Sequence, residues 1–178
     1  MNLCDCSQLD SEGIKKIVAN CQELKELNLA FTNLQHSDIE FICNNLSPQL
    51  HKLNLAGLRG QIKNQNVQSL VNNCPDLLEL DLSDASTLTG ESLDFIVRLS
   101  KLRRLSLSRC FDIHPATLLK LSLMKQLKYL NVFGILKEEK FGILRRELPQ
   151  LIINDSPLSF VARSAGVKNL LWDVKLWQ

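Results

Sequence analysis

The sequence predicts an α/β solenoid: a horseshoe of stacked strand–loop–helix units, with a parallel sheet on the concave side and helices outside. A C-terminal tail is expected to fold back over the concave face. Three observations predict it. First, Leu-x-x-Leu-x-Leu recurs over Leu24–Leu29, Leu50–Leu55, Leu77–Leu82, Leu102–Leu107 and, ending in valine, Leu127–Val132. Met1 to Leu3 fits the second half of an earlier copy, and Leu151 to Ile153 a degenerate last one. The first leucines of successive copies, from Leu24 through Leu50, Leu77, Leu102 and Leu127 to Leu151, fall at a nearly constant spacing. A fixed period of roughly 20–29 residues with this signature marks a leucine-rich-repeat solenoid. Second, each copy alternates faces over its strand and then turns to helical periodicity. Third, 45% of the residues are hydrophobic, enough for a core running the length of the stack.

The elements follow in order. In each strand, Leu27 and Leu29 point one way while Glu26, Asn28 and Ala30 point the other, because strand side chains alternate. Residues 11–18 place Ile14, Ile17 and Val18 on one helical stripe, and residues 89–97 do the same with Leu93, Ile96 and Val97. Asp38, Thr89 and His114-Pro115 mark helix starts, proline being suited to a first helical position. The concave columns read Asn2/Cys4, Glu26/Asn28/Ala30, Lys52/Asn54/Ala56, Glu79/Asp81/Ser83, Arg104/Ser106/Ser108 and Tyr129/Asn131/Phe133. Their middle and last positions are mostly small and polar. They form either a trough with room for another chain or a plain solvated sheet face.

Residues 1–154 are expected to carry about six repeats, truncated at the N-terminus, and residues 155–178 a tail packing on them. Met1 enters in mid-strand without the polar cap that a solenoid end needs. Either earlier repeats precede it or something else covers that strand edge. After Asn154 the period stops, yet Trp172, Val174 and Leu176 alternate with Asp173 and Lys175. Extended, the tail reaches on the order of 80 Å. Crossing six strands about 4.8 Å apart takes only roughly 25 Å. The alternative is a capping strand and helix beyond the last repeat.

Composition excludes several classes of function. The charge is +2, from 21 basic and 19 acidic residues, without the clustered basic face of a nucleic-acid binder. There is no run of 18 apolar residues for a membrane span and no secretory signal, so the expected location is nucleus and cytoplasm. The sequons at Asn45 and Asn154 are each followed by proline after the serine and have no secretory context. In a reducing compartment the six cysteines are expected to be free thiols. Cys6 and Cys110 share a column with Thr32, Leu58, Ala85 and Ile135, and Cys21 and Cys74 one with Leu99, Met124 and Leu148. They exchange as small buried hydrophobes. Cys4-Asp5-Cys6 is too tight for a zinc pair, and His36, His51 and His114 fall in separate repeats. No phosphate loop or nucleophile motif is present, so no catalytic residue, metal or cofactor is expected. Glu79, Asp81 and Asp84 suit partner binding better than acid–base work. On one rim, Phe31, Asp84, Arg109 and Phe111 occupy the ascending loops. Aromatics and arginine exposed together make a protein-binding hot spot; the alternative is aromatics tucked into loop packing.

The strings Leu80-Asp-Leu-Ser-Asp84, Leu105-Ser-Leu-Ser-Arg-Cys-Phe-Asp-Ile113, Pro115-Ala-Thr-Leu-Leu119, Val132-Phe-Gly-Ile135 and Leu148-Pro-Gln-Leu-Ile-Ile-Asn154 resemble the F-box/leucine-rich-repeat subunits of SCF ubiquitin ligases. Leu171-Trp172-Asp-Val-Lys175 echoes the tail of that family. The resemblance implies a substrate-selecting protein rather than an enzyme. Its repeats would bind a cyclin-dependent-kinase regulatory subunit, and the composite surface would capture a phosphorylated cyclin-dependent-kinase inhibitor for ubiquitination. It places partner contacts at Phe31, Asp84, Arg109, Phe111 and Leu158. Asp84 and Arg109 match the family, Phe111 stands for its tyrosine, Phe31 for its tryptophan and Leu158 for its phenylalanine. No F-box precedes the repeats, so this chain is expected to meet the ligase core only if an F-box exists upstream, and otherwise to compete with the full-length subunit. Two further readings are a cytosolic repeat scaffold or inhibitor unconnected to ubiquitin, and a GTPase-activating repeat protein.

Overall fold

The computed structural model describes residues 1–136, 138–156 and 161. Among the described residues, six short strands form one parallel sheet in sequence order: β1 Glu26–Asn28, β2 Lys52–Asn54, β3 Glu79–Asp81, β4 Arg104–Ser106, β5 Tyr129–Asn131 and β6 Ile152–Ile153. Asn2 bridges to Asn28 as the trace of a preceding strand. Four α-helices, a 3₁₀ helix and a last α-helix make the outer layer: α1 Ser11–Asn20, α2 His36–Asn45, α3 Asn64–Asn73, α4 Gly90–Ile96, the 3₁₀ helix Pro115–Leu123 and α5 Glu138–Glu147. This is the expected repeat solenoid, an open sheet lined by helices.

The leucine pattern explains the stack. Leu27, Leu53, Leu80, Leu105, Leu130 and Ile153 stand in one column across the sheet. The next inward column, Leu29, Leu55, Leu82, Leu107 and Val132, is fully buried. Ile14 and Val18 of α1, and Leu93 and Ile96 of α4, close the core from outside, while Ile17 and Val97 are half-buried.

The helix starts follow local chemistry, with one correction. Asp10 caps α1, its Oδ1 accepting from Gly13 N at 2.7 Å. Thr89 caps α4, and Pro115 opens the 3₁₀ helix. Asp38, however, does not start α2. Gln35 is its N-cap, and Asp38 is the third helical residue, accepting from Gln35 N at 3.0 Å. The carboxylate reaches back to an orphan amide of the first turn; Asn66 does the same for Lys63 N in α3, at 2.7 Å.

The concave face is not the plain solvated surface that one of the two readings allowed. Its middle and last columns are largely buried rather than open: Asn28, Asn54, Asp81, Ser106 and Asn131, with Ala30, Ala56, Ser83 and Ser108. In four units the middle side chain accepts from the amide two positions on: Asn2 from Cys4, Asn28 from Ala30, Asn54 from Ala56 and Asp81 from Ser83, at 2.9–3.0 Å. These amides have left the ladder, and a short side-chain oxygen satisfies them. The first column stays half-exposed and forms a charged row. Lys52 Nζ lies 3.0 Å from Glu26 and 3.5 Å from Glu79, and the Arg104 guanidinium sits 3.9 Å from the Tyr129 ring centroid.

Beyond β6 the chain turns onto this face. Arg104 Nη1 donates to Asp155 Oδ1 and Oδ2 at 3.0 and 2.8 Å, and Asn131 Nδ2 donates to Ser156 O at 2.7 Å. Val161 is buried, and its carbonyl accepts from Asn28 Nδ2 at 3.3 Å. Ser156 thus meets β5 and Val161 meets β1, at the other end of the sheet. Leu158 and the alternating segment Trp172–Leu176 lie outside the described residues.

Leu105 has no exposed surface and is central in the stack. Leu105→Ala is expected to lower stability by about 2–5 kcal/mol, measured as a shift in the urea unfolding midpoint.

Candidate protein-binding rim

The strands end alike. The third residue past each of β1 to β5, and past Asn2 in the incomplete first unit, turns the chain into the ascending loop with a left-handed backbone. Asp5, Phe31, Gly57, Asp84, Arg109 and Gly134 have φ of 59°, 57°, 81°, 66°, 60° and 78°. The amide at this position adds one more rung to the ladder: Phe31 N to Ala56 O, Gly57 N to Ser83 O, Asp84 N to Ser108 O and Arg109 N to Phe133 O, at 2.7–2.9 Å. The conformation is costless for glycine but costs a residue with a Cβ about 1–2 kcal/mol. Three of the four non-glycine residues in this column are the rim residues Phe31, Asp84 and Arg109. Backbone strain of this kind concentrates where a side chain must be held in a fixed direction.

The glycines have a second role. A Cβ at Gly57 would fall 2.3 Å from Phe31 Cδ1, so the Phe31 ring lies directly against the next unit's bare backbone. At Gly134 it would meet Arg109 Cγ at 3.2 Å and Phe111 Cε1 at 3.8 Å. The rings remain presented to solvent: Phe31 is 52% and Phe111 65% exposed. They are therefore not tucked into loop packing.

Asp84 differs from its neighbours. Its side chain is only 3% exposed, held by Arg109 Nε at 2.8 Å, Arg109 Nη2 at 2.5 Å and Arg59 Nη2 at 3.3 Å. The Arg109 hydrogen bonds hold its carboxyl below the usual range, and Arg59 adds to the effect. Two exposed guanidiniums share one buried carboxylate, which fixes them side by side and leaves one positive charge facing outward. Arg59 is not singled out by the sequence. Its signal was in the register, since it follows Gly57 by two positions as Phe111 follows Arg109.

Behind the rim a groove of about 450 Å³ runs along the concave side between Phe31, Arg109 and Val161, with Asn54, Asp81 and Ser83 in its floor. Burial pushes the Asp81 carboxyl up, against hydrogen bonds from Ser83 and Ser106. The rim thus brings together Phe31, Asp84, Arg109 and Phe111, while Leu158 lies outside the described residues. Among the described residues, no three His, Cys, Asp or Glu side chains gather to hold a metal ion. The Cys43, Cys74 and Cys110 thiols are pushed up to about 12 by burial. They are protonated at neutral pH, which suits small buried hydrophobes. No helix among the described residues is long and apolar enough to cross a membrane.

A family model described as the SKP2 LRR domain matches residues 1–178. The chain belongs to the SKP2 leucine-rich-repeat family. Among solved structures, yeast Rad7 in its complex with Elc1 is similar at 18% identity and TM-score 0.60, over 75% of this chain. The chain spans only 36% of that yeast protein's chain. The tropomodulin C-terminal domain of Caenorhabditis elegans is similar at 15% identity and TM-score 0.56, over 82% of this chain and 87% of that one. At these identities the two structures share the fold. The SKP2-type repeat is a protein-binding module.

Two outcomes follow from the rim geometry. Gly57→Ala adds backbone strain and a collision with Phe31, whereas Gly60→Ala, with φ of 71° and open space around it, adds strain alone. Gly57→Ala is expected to destabilise more than Gly60→Ala in denaturant titrations and to shift the Phe31 ring signals in NMR spectra. The lowered carboxyl of Asp84 stabilises the fold above the unfolded carboxylate value of about 4, and that contribution disappears as pH falls through the lower native value. Unfolding midpoints measured against pH should therefore show a steeper acid loss for the native chain than for Asp84→Asn.

Proposed function

We propose that the chain is the substrate-recognition module of an SCF-type E3 ubiquitin ligase. Its rim binds a cyclin-dependent-kinase regulatory subunit, and the composite surface captures a phosphorylated cyclin-dependent-kinase inhibitor. The observation that carries this reading is the exposed row of Phe31, Arg59, Arg109 and Phe111, locked around the buried carboxylate of Asp84. Aromatic and arginine side chains on a preorganised surface are the usual anchors of a protein interface. Membership of the SKP2 repeat family supports the same class of partner. On this reading Phe31 and Phe111 supply apolar contact, Arg109 an ion pair, and Asp84 positions Arg109 and Arg59. Leu158 is assigned a further contact from the tail. The module selects and does not catalyse. It meets the ligase core only if an F-box exists upstream, and it works in nucleus and cytoplasm.

The test is a calorimetric titration of the chain with a cyclin-dependent-kinase regulatory subunit. Micromolar or tighter binding is expected. Arg109→Ala should weaken it by about 2 kcal/mol or more, roughly thirtyfold. Asp84→Asn should also weaken it, although Asp84 is buried. A folded chain that does not bind would favour a repeat scaffold unconnected to ubiquitin.

A further inference from the structure

After β6 the chain turns onto its own concave face, and an ion pair stands at the start of that passage. Asn154 turns the chain with a left-handed backbone, φ 58°, while its Oδ1 accepts from Val132 N at 2.8 Å. Asp155 is thereby brought against β4, two strands back, where Arg104 Nη1 donates to both of its carboxylate oxygens. In the charged row, Lys52 is answered by its neighbours Glu26 and Glu79. Arg104 reaches beyond the row, to a residue 51 positions later in the chain. Its side chain and that of Asp155 are 19% and 20% exposed, against 69% and 74% for the surface pair Lys16 and Glu12. A charge-assisted hydrogen bond strengthens as water is excluded, whereas an exposed pair is screened. The Tyr129 ring, 3.9 Å from the guanidinium, fixes Arg104 further.

The two contacts that follow are neutral: Asn131 Nδ2 to Ser156 O at 2.7 Å and Asn28 Nδ2 to Val161 O at 3.3 Å. A neutral hydrogen bond holds a passing chain weakly, because water offers it the same partners. The charged pair is therefore the stronger tether. Val161 lies close to it, since a cavity of only about 10 Å³ is enclosed among Val161, Arg104, Ser106 and Asn131. Val161 also walls the larger groove, of about 450 Å³, that opens toward Phe31 and Arg109. We propose that Arg104 and Asp155 form a latch that holds Ser156 and Val161 on the concave face and so sets one wall of that groove. They are positioning residues, for neither lines the groove itself. A partner entering the groove depends on the latch without touching it, a step that rests on the function proposed above.

The test follows the side-chain amide signals of Asn131 and Asn28 by NMR on the whole chain. Asn28 stands on β1, three strands from Arg104 on β4, beyond the reach of a merely local disturbance. Asp155→Asn keeps the shape and removes the charge. In this variant, and in Arg104→Ala, both signals should move toward that of the exposed Asn44. The double variant should be no worse than either single one, because the two residues act as one pair. Thermal melting confirms that each variant is folded. Unmoved Asn28 signals in both folded variants, or a shift confined to Asn131, would overturn the latch. Calorimetric affinity for the cyclin-dependent-kinase regulatory subunit should fall about tenfold in Asp155→Asn. Full affinity in that variant, with the Asn28 signal displaced, would overturn the link from latch to groove. A native chain that does not bind the subunit counts against the function proposed above, and the asparagine signals then decide the latch on their own.

Discussion

The parallel register that runs from Leu27 through Leu53, Leu80, Leu105 and Leu130 to Ile153 governs everything else in this molecule. A strand slip of one position would turn every leucine outward. The repeat length varies slightly from unit to unit, and the variation is absorbed in loops and helices rather than in the strand. Once the leucines are aligned, every other position falls into a column as well. The middle position becomes a line of Asn, Asp and Ser, most of which satisfy departing amides, and the turn position becomes a line of left-handed residues. The rim is one of these columns, and it is straight because the core is.

Rigidity at the rim comes from contacts between units. Phe31 leans on Gly57, Arg59 and Arg109 converge on Asp84, and Arg109 and Phe111 lie over Gly134. Each link spans about one repeat, so the surface from Phe31 to Phe111 is tied together without any contribution from the helices. Such a surface loses little side-chain freedom when a partner arrives. The carboxylate of Asp84 is central to this order although it is nearly absent from the surface. Removing it would leave two guanidiniums repelling each other.

Much of this was legible in the sequence. The period, the strand positions, the inward leucines and the rim loops all follow from spacing, because a side chain's face is fixed by its place in a strand. What spacing does not carry is which groups meet across units. Nothing in Asp84 alone indicates that one arginine from the preceding repeat and one from the following repeat will enclose it. The Asp38 assignment failed for a related reason: an acidic residue near a helix start suits either the cap or the third position, and the two differ only in which amide the carboxylate reaches. The run Pro115–Leu123 reads as helix by composition, but its leucines at 118 and 121 serve a threefold turn better than an α-helical one. The polar concave columns allowed either a trough for another chain or a plain solvated face; their burial reflects close side-chain packing and the passage of Val161 over β1.

The contact between Phe31 and Gly57 carries a consequence for descent. The two positions belong to different repeats, yet a change at one bears on the other. A large ring at the first packs best on a bare backbone at the second, and a side chain at the second displaces the ring. Relatives that drift at one position should drift at the other, so the pair would surface as correlated substitution in this lineage even if no partner ever touched it. Repeats that arose by duplication are in this way bound to remain unlike one another.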